Sequence, residues 1–417
     1  MSPHRCSRYF QSIQLQRRQV KIQFLRSPVL AAFLLLLSLA LSCNQPKNED
    51  RSTVKIGFFG DLSGPTFNYG ESAKNGVLMA ADEINQGGGI NGHQIDVVIE
   101  DDKGSPEAAA QVTGKLIDNH KVVAIIGAGG SGNSLAAAPK AQSAKVPLIA
   151  PSSTNPAVTQ VGDYIFRACY IDAFQGEVMA KFAANTLKAR KAAIMLDFNS
   201  PYSRGLTDFF EYSFAKLDGN IVVKQSYKQE DADYRGQLSA IKAAEPDVIY
   251  IPGYYGDVAL IAKQARQLGL TMPLLGADGW DAPELWALGG DALNDSYISN
   301  HYSADDPAEN IQTFVRNYRL RYQNLTPDAH AALAYDALRF LAEAIQKAEI
   351  TEGPKLRAAL AETKNFRGIT GIISMDRDRN AVKSAVILKL LDGRYIYQET
   401  IQPETAALPQ SSAPATR

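Results

Sequence analysis

At 417 residues the chain exceeds what one ordinary hydrophobic core accommodates, so two domains are expected. With 45% hydrophobic and 21% charged residues, its composition is that of a soluble globular protein. Lys plus Arg number 43 against 44 Asp plus Glu, and the formal charge of -1 offers no electrostatic attraction to nucleic acid or other polyanions.

The first segment carries Arg5, Arg8, Arg17, Arg18, Lys21 and Arg26, then an apolar run from Val29 to Leu41 and Cys43. That is the plan of a signal peptide, and the run is shorter than the roughly 20 apolar residues a membrane span needs. Residues 1-42 are expected to be a signal peptide, followed by a polar linker over 43-52. Arg17-Arg18 belongs to a basic leader rather than to a twin-arginine signal. Ala40-Leu41-Ser42-Cys43 resembles a bacterial lipoprotein box, in which the cysteine is lipidated, although Ala40 stands where Leu is usual. The other reading is a cysteine within an ordinary signal peptide. Cleavage before Cys43 removes Cys6 and leaves Cys169 as the only unmodified thiol, so no intrachain disulfide forms. Cys169 lies in the apolar strand YIFRACY and reads as a buried structural thiol.

From Val54 on, strand-like and helix-like patterns alternate. VKIGFF, IDVVIED, VVAIIG, VPLIA and YIFRACY read as strands, then KAAIMLD, NIVVKQSY, PDVIYIPG and MPLLGAD. Helices fall between them: Ala73, Val77, Ala80, Ala81 and Ile84 share helical spacing and stop at Gly87 to Gly89. Near-continuous apolar strands separated by amphipathic helices indicate parallel sheets covered on both faces, and the pattern occurs twice. An α/β protein of two doubly wound lobes follows. From about Asn310 the chain turns helical before GIISMDR, SAVILKL and YIYQET resume strand character, so it crosses between the lobes several times. The lobes are expected to comprise 53-171 plus 302-377 and 172-301 plus 378-400. The Pro-, Ser- and Ala-rich stretch 401-417 reads as a disordered tail.

In open parallel sheets ligands bind beyond the carboxyl ends of the strands. Those ends read DLSGPTFNYG, Asp101-Asp102, GAGGSGNS, PSSTNP, DFNSPY, PGYYGD and GADGW. Gly127 to Gly132 fits G-x-G-x-x-G, but the acid that would hold a ribose about 20 residues on is replaced by Pro151, Ser152, Ser153 and Thr154. A helix N-terminus with Ser131 beside it suits a carboxylate better than a pyrophosphate, and a plain tight turn is the alternative. Asp278 stands where an acid meets a ligand ammonium or caps a helix. Tyr69, Tyr202 and Tyr254 each follow a strand in a loop and offer a half-apolar, half-hydroxyl lining. His93, His120, His301 and His330 show no metal-ligand spacing, and no nucleophile motif occurs. No enzyme activity, metal or cofactor is expected, and Asp101-Asp102 reads as a strand end or cap.

The phrases DLSGPTFNYG, NGVLMAADEIN, GGINGHQIDVVIEDD, FRACYIDAFQG and ADYRGQLSAIKAAEPDVIYIPGY resemble, in order and spacing, the branched-chain amino-acid binding proteins. These are the type I periplasmic solute-binding proteins of ATP-driven (ABC) importers, leucine-binding-protein-like. The resemblance runs from Val54 to about Leu391. It implies a type I periplasmic binding protein fold with lobes joined by a multi-crossover hinge.

By the same resemblance, Ser131 and Thr154 hold the ligand α-carboxylate. Ser152 offers a backbone carbonyl to the ammonium, Asp278 is its acid, Tyr202 and Tyr254 belong to the second lobe, and Tyr69 lies near the ligand side chain. Gly129 and Gly130 replace a bulkier residue and a cysteine of the best-known members, Asp278 replaces a glutamate, and His330 aligns with an aromatic. These departures imply a broad neutral amino-acid range instead of a strict leucine preference. The function implied is extracytoplasmic capture of neutral or branched-chain L-amino acids by hinge closure and delivery to a membrane permease. A monomer, lipid-anchored through Cys43 in the periplasm or its equivalent, is expected. The alternatives are a receptor for urea, short amides or another small polar solute, and a sensory binding subunit. A nucleotide-dependent oxidoreductase built on Gly127 to Gly132 lacks its ribose acid.

Overall fold

The computed structural model describes residues 53-127, 129-349 and 353-403. The signal peptide, Cys43 and the linker through Ser52 lie outside the described residues, as does the tail from residue 404. Among the described residues no helix is long and apolar enough to cross a membrane.

Alternation along the strands decides which side chains go to which face. In β1 (Val54–Gly60), Ile56 and Phe58 enter one core and Phe59 the opposite one. Four further strands, β2 (Ile95–Asp101), β3 (Ala124–Gly127), β4 (Leu148–Ala150) and β5 (Ile165–Arg167), join it in a parallel sheet of order β2-β1-β3-β4-β5. The second sheet is built from β6 (Lys191–Asp197), β7 (Asn220–Tyr227), β8 (Val248–Tyr250), β9 (Leu274–Gly276) and β10 (Ser296–Asn300). Its order is β15-β14-β10-β9-β8-β6-β7, with the late strands β14 (Ala385–Leu391) and β15 (Arg394–Ile401) antiparallel at one edge. A small antiparallel sheet holds β11 (Phe366–Gly368), β12 (Gly371–Met375) and β13 (Ala381–Val382).

The late helices return to the first sheet. Ile311, Phe314 and Val315 of the Glu309–Arg321 helix and most of the apolar face of α2 (Ala329–Ala348) pack in the core that holds Ile56 and Ile126. α1 (Phe67–Gln86) lies along α2, and Gly76 permits the approach because a Cβ there would collide with the Ala331 carbonyl. Phe366, Ile373 and Ala381 of the small sheet join the same core. The chain therefore passes between the two lobes after β5, after β10 and between β13 and β14, which makes a multi-crossover connection.

Three local expectations are corrected. α1 begins at Phe67, so Tyr69 sits in its first turn and not in a loop, whereas a helix does run from Tyr202 as its sequence suggests, within Pro201–Ala215. β10 was not expected, because Ser296, Ser299 and Asn300 are buried polar residues that break the apolar pattern. The last strand runs through Ile401, the first residue of the stretch read as a tail. Cys169 is a free, buried thiol whose pKa burial pushes up to about 12, so it is not a nucleophile.

Candidate functional site

Both sheets reverse strand order at one point: between β1 and β3 in the first, between β6 and β8 in the second. Crevices open at such switch points, beyond the carboxyl ends of the strands. Tyr69 follows β1 and Ser131 follows β3; Tyr202 follows β6 and Tyr254 follows β8. Topology thus directs four of the sequence-derived residues to the two switch points.

The first-lobe side is made by the loops after β3 and β4. Ser131 is the first residue of the Ser131–Ala144 helix, entered from Gly130 in extended conformation, and its hydroxyl accepts from the Asn155 backbone N–H at 3.3 Å. Ser152 donates its hydroxyl to the Gly129 carbonyl at 3.2 Å. Arg167, buried under this loop, holds it by donating to the carbonyls of Ser153 at 2.6 Å and Asn155 at 2.8 Å. The Thr154 hydroxyl is buried with no well-formed hydrogen bond among the described residues, and the same is true of both Asp172 carboxyl oxygens. The two are still electrostatic neighbours. Burial pushes Asp172 up to about 8, with the Thr154 hydroxyl opposing that shift.

On the second lobe Asp278 opens a short 3-10 turn at the end of β9. It does not cap a helix: its side chain accepts from Gln175 Nε2 at 2.9 Å, the Tyr202 hydroxyl at 2.7 Å and His301 Nε2 at 3.1 Å. Burial pushes its pKa up, but the His301, Gln175 and Tyr202 donors outweigh burial and hold it below the usual carboxylate range. His301 is itself pushed down to about 4 by burial, so at neutral pH an uncharged imidazole donates to an ionised carboxylate.

The lobes meet over this anion. Tyr69 donates its hydroxyl to the Gly279 carbonyl, while the Gly279 N–H donates to the Tyr202 hydroxyl at 2.9 Å. Gly279, the residue after Asp278, is therefore held from both lobes. Tyr254 stacks on Tyr202 with centroids 5.1 Å apart and meets Tyr69 edge-on at 5.9 Å. His330 stacks on Tyr69 at 4.1 Å and bonds Ser152 through Nδ1 at 3.2 Å. Asn155 Nδ2 adds another cross-lobe bond, to the Pro201 carbonyl at 2.8 Å.

Tyr69, Tyr202, Tyr254 and Asp278 thus form one connected cluster, and Ser152 joins it through His330. Ser131 and Thr154 lie on the adjoining loop, tied together through Asn155. Sequence reasoning missed Asp172, Gln175 and His301. The D-A-F-Q spacing of the first two, at i and i+3 of a helix start, was a readable signal. Asp61, Asp101 and Asp102 converge closely, but their carboxylates are engaged by nearby backbone N–H groups, as from Gly64, Lys103 and Gly104, and serve their own loops.

A family profile described as periplasmic binding protein matches residues 53–393. The Leu/Ile/Val-binding protein BraC3 of Rhizobium johnstonii is 29% identical over 323 residues, 77% of this chain and 87% of that protein. The crystal structure of the branched-chain amino acid transporter substrate binding protein LivJ from Streptococcus pneumoniae, in complex with isoleucine, is 34% identical. It aligns with a TM-score of 0.80 over 84% of this chain and 100% of that one. A solute binding protein of an ABC transporter from Rhodopseudomonas palustris, in complex with 3,4-dihydroxy benzoic acid, is 26% identical with a TM-score of 0.76, covering 84% and 97%. These relatives are substrate-binding proteins and not enzymes. With its two switch-point crevices closed on one another and its profile match spanning nearly all the described residues, the chain belongs to the periplasmic binding protein family, in its leucine-binding-protein-like, type I form.

Proposed function

We propose that this protein is the extracytoplasmic solute-binding component of an ABC importer, capturing neutral or branched-chain L-amino acids by closure of its lobes and passing them to a membrane permease. One observation carries the reading: an ionised Asp278 on the second lobe lies beneath a cross-lobe bond, from Tyr69 to Gly279, while the first lobe supplies the Ser131 and Thr154 hydroxyls. A zwitterion matches that polarity. Its carboxylate takes the first-lobe donors and its ammonium takes Asp278 and the Ser152 carbonyl. Burying both charges costs several kcal/mol per ion, and charge-assisted hydrogen bonds at both ends offset that cost. The isoleucine bound by LivJ supports this ligand class. Lipidation at Cys43, with a monomeric protein tethered outside the cytoplasmic membrane, belongs to the same proposal, as does the lobe partition 53-171 plus 302-377 against 172-301 plus 378-400.

A second reading rests on Asp278 as well. Three internal donors already satisfy its charge, so a solute with a carboxylate and no ammonium, like the aromatic acid of the R. palustris relative, is the competing class. Calorimetric titration of ligand-free protein separates the two. Neutral L-amino acids should bind at micromolar or better affinity, about 8 kcal/mol, and binding should vanish when either the amino or the carboxyl group is blocked. Binding of benzoates, urea or acetamide with no response to amino acids would reject the proposal.

A further inference from the structure

The His330 ring is buried at the centre of the cluster, stacked on Tyr69, and near enough to Asp278 to feel its charge. Its two nitrogens are in different situations. Ser152 Oγ lies 3.2 Å from both the Gly129 carbonyl and His330 Nδ1; a hydroxyl that donates to the carbonyl leaves its oxygen to accept from Nδ1–H, and that is the tautomer on which the inference below rests. In that tautomer the relay His330 Nδ1–H to Ser152 Oγ–H to Gly129 C=O makes Nε2 a bare lone pair. That nitrogen is buried and has no hydrogen-bond partner among the described residues. Burial pushes the ring down to about 4, so protonation does not relieve it at neutral pH.

A buried acceptor without a donor is costly, and a ligand that closes the lobes over it without supplying one leaves that cost in place. We infer that His330 Nε2 reads the ligand side chain, and that the site prefers neutral L-α-amino acids whose side chain carries a hydroxyl or amide donor over aliphatic ones of the same shape. This rests on the amino-acid reading above. Gly129, whose carbonyl Ser152 reaches, and Gly130 carry no side chain, and an added Cβ at either would come no nearer than 3.4 Å to Tyr69 or Tyr254.

The test is calorimetric titration of the ligand-free protein with two pairs matched in shape, L-threonine against L-valine and L-asparagine against L-leucine. At least one donor-bearing member should bind about ten- to a hundredfold more tightly than its partner, and His330→Phe should erase that advantage. Equal affinities, or tighter binding of valine and leucine, overturn the inference and leave the amino-acid reading standing. A loss in His330→Phe that is the same for both members of a pair assigns Nε2 to the ammonium and also overturns it. No binding of any of the four refutes the underlying reading, and the inference with it. Should His330→Phe fail to fold, two other measurements decide. Imidazole 15N shifts of the ligand-free wild type should show Nδ1 protonated and Nε2 bare, and Ser152→Ala, which frees the tautomer, should shrink the threonine-to-valine ratio. The opposite tautomer, or an unchanged ratio, overturns the inference.

Discussion

His301 Nε2 lies 3.1 Å from Asp278 Oδ2, and both side chains are buried. The pair couples the end of β10 to the end of β9, so the acid assigned to the ligand ammonium is aimed by a residue one strand away. A buried carboxylate that loses a donor keeps its desolvation cost. His301→Ala is therefore expected to weaken amino-acid binding by about 2–3 kcal/mol, and His301→Gln, which keeps an N–H donor, to recover part of it. Calorimetry on the two variants checks this, and equal losses in both contradict the positioning role.

Tyr69 spans the lobes only while they are closed, through its hydroxyl on the Gly279 carbonyl and the Tyr255 N–H it accepts at 3.4 Å. Tyr69→Phe should leave the open form untouched and destabilise the closed one. The expected result is about 1–2 kcal/mol weaker binding, with a smaller ligand-induced decrease in radius of gyration by small-angle X-ray scattering.

Asp172 makes a pH prediction with a definite sign. Its pKa rises from 3.8 to about 8, mainly through burial, so the folded protein holds a proton that the unfolded chain releases. Its stabilising contribution is fully present below about pH 4 and is lost as pH rises through about 8. Asp172→Asn should match the wild type near pH 4 in urea unfolding of ligand-free protein. Its advantage should grow toward pH 8.5, to on the order of 5 kcal/mol at most. An offset independent of pH would contradict the buried, protonated state.

Gly76 packs α1 against the Ala331 carbonyl of α2, with no room for a Cβ. Gly76→Leu is expected to force the helices apart and cost about 3 kcal/mol or more of stability, seen as a lower Tm. A neutral effect would mean that the two helices separate at no cost.

The β1 to β9 strands were legible because their apolar runs are short, continuous and bounded by turn residues. β10 was not, since Ser296, Ser299 and Asn300 are buried and paired inside the fold, as Ser299 is with Gln175 at 3.0 Å. Missing β10 concealed His301, which follows it directly. The seven ligand-site candidates were readable as strand-end residues, and a family resemblance gave each its role. The grip on Asp278 was not readable. Gln175, Tyr202 and His301 stand 103, 76 and 23 residues away, so no spacing rule links them before the sheet is closed. Tyr69 reads as a loop residue because the glycine- and proline-rich segment before it hides a helix that begins at Phe67.

The central claim is that Asp278 meets a ligand ammonium, and Asp278→Asn tests it most directly. The wild type and the variant would each be titrated with L-leucine and with 4-methylpentanoate, which is leucine without its amino group. The account predicts that the wild type binds leucine at least about thirtyfold more tightly than the amine-free acid, and that Asp278→Asn abolishes most of that difference. Leucine binding undiminished by Asp278→Asn, or a wild type that binds both ligands equally, would contradict it.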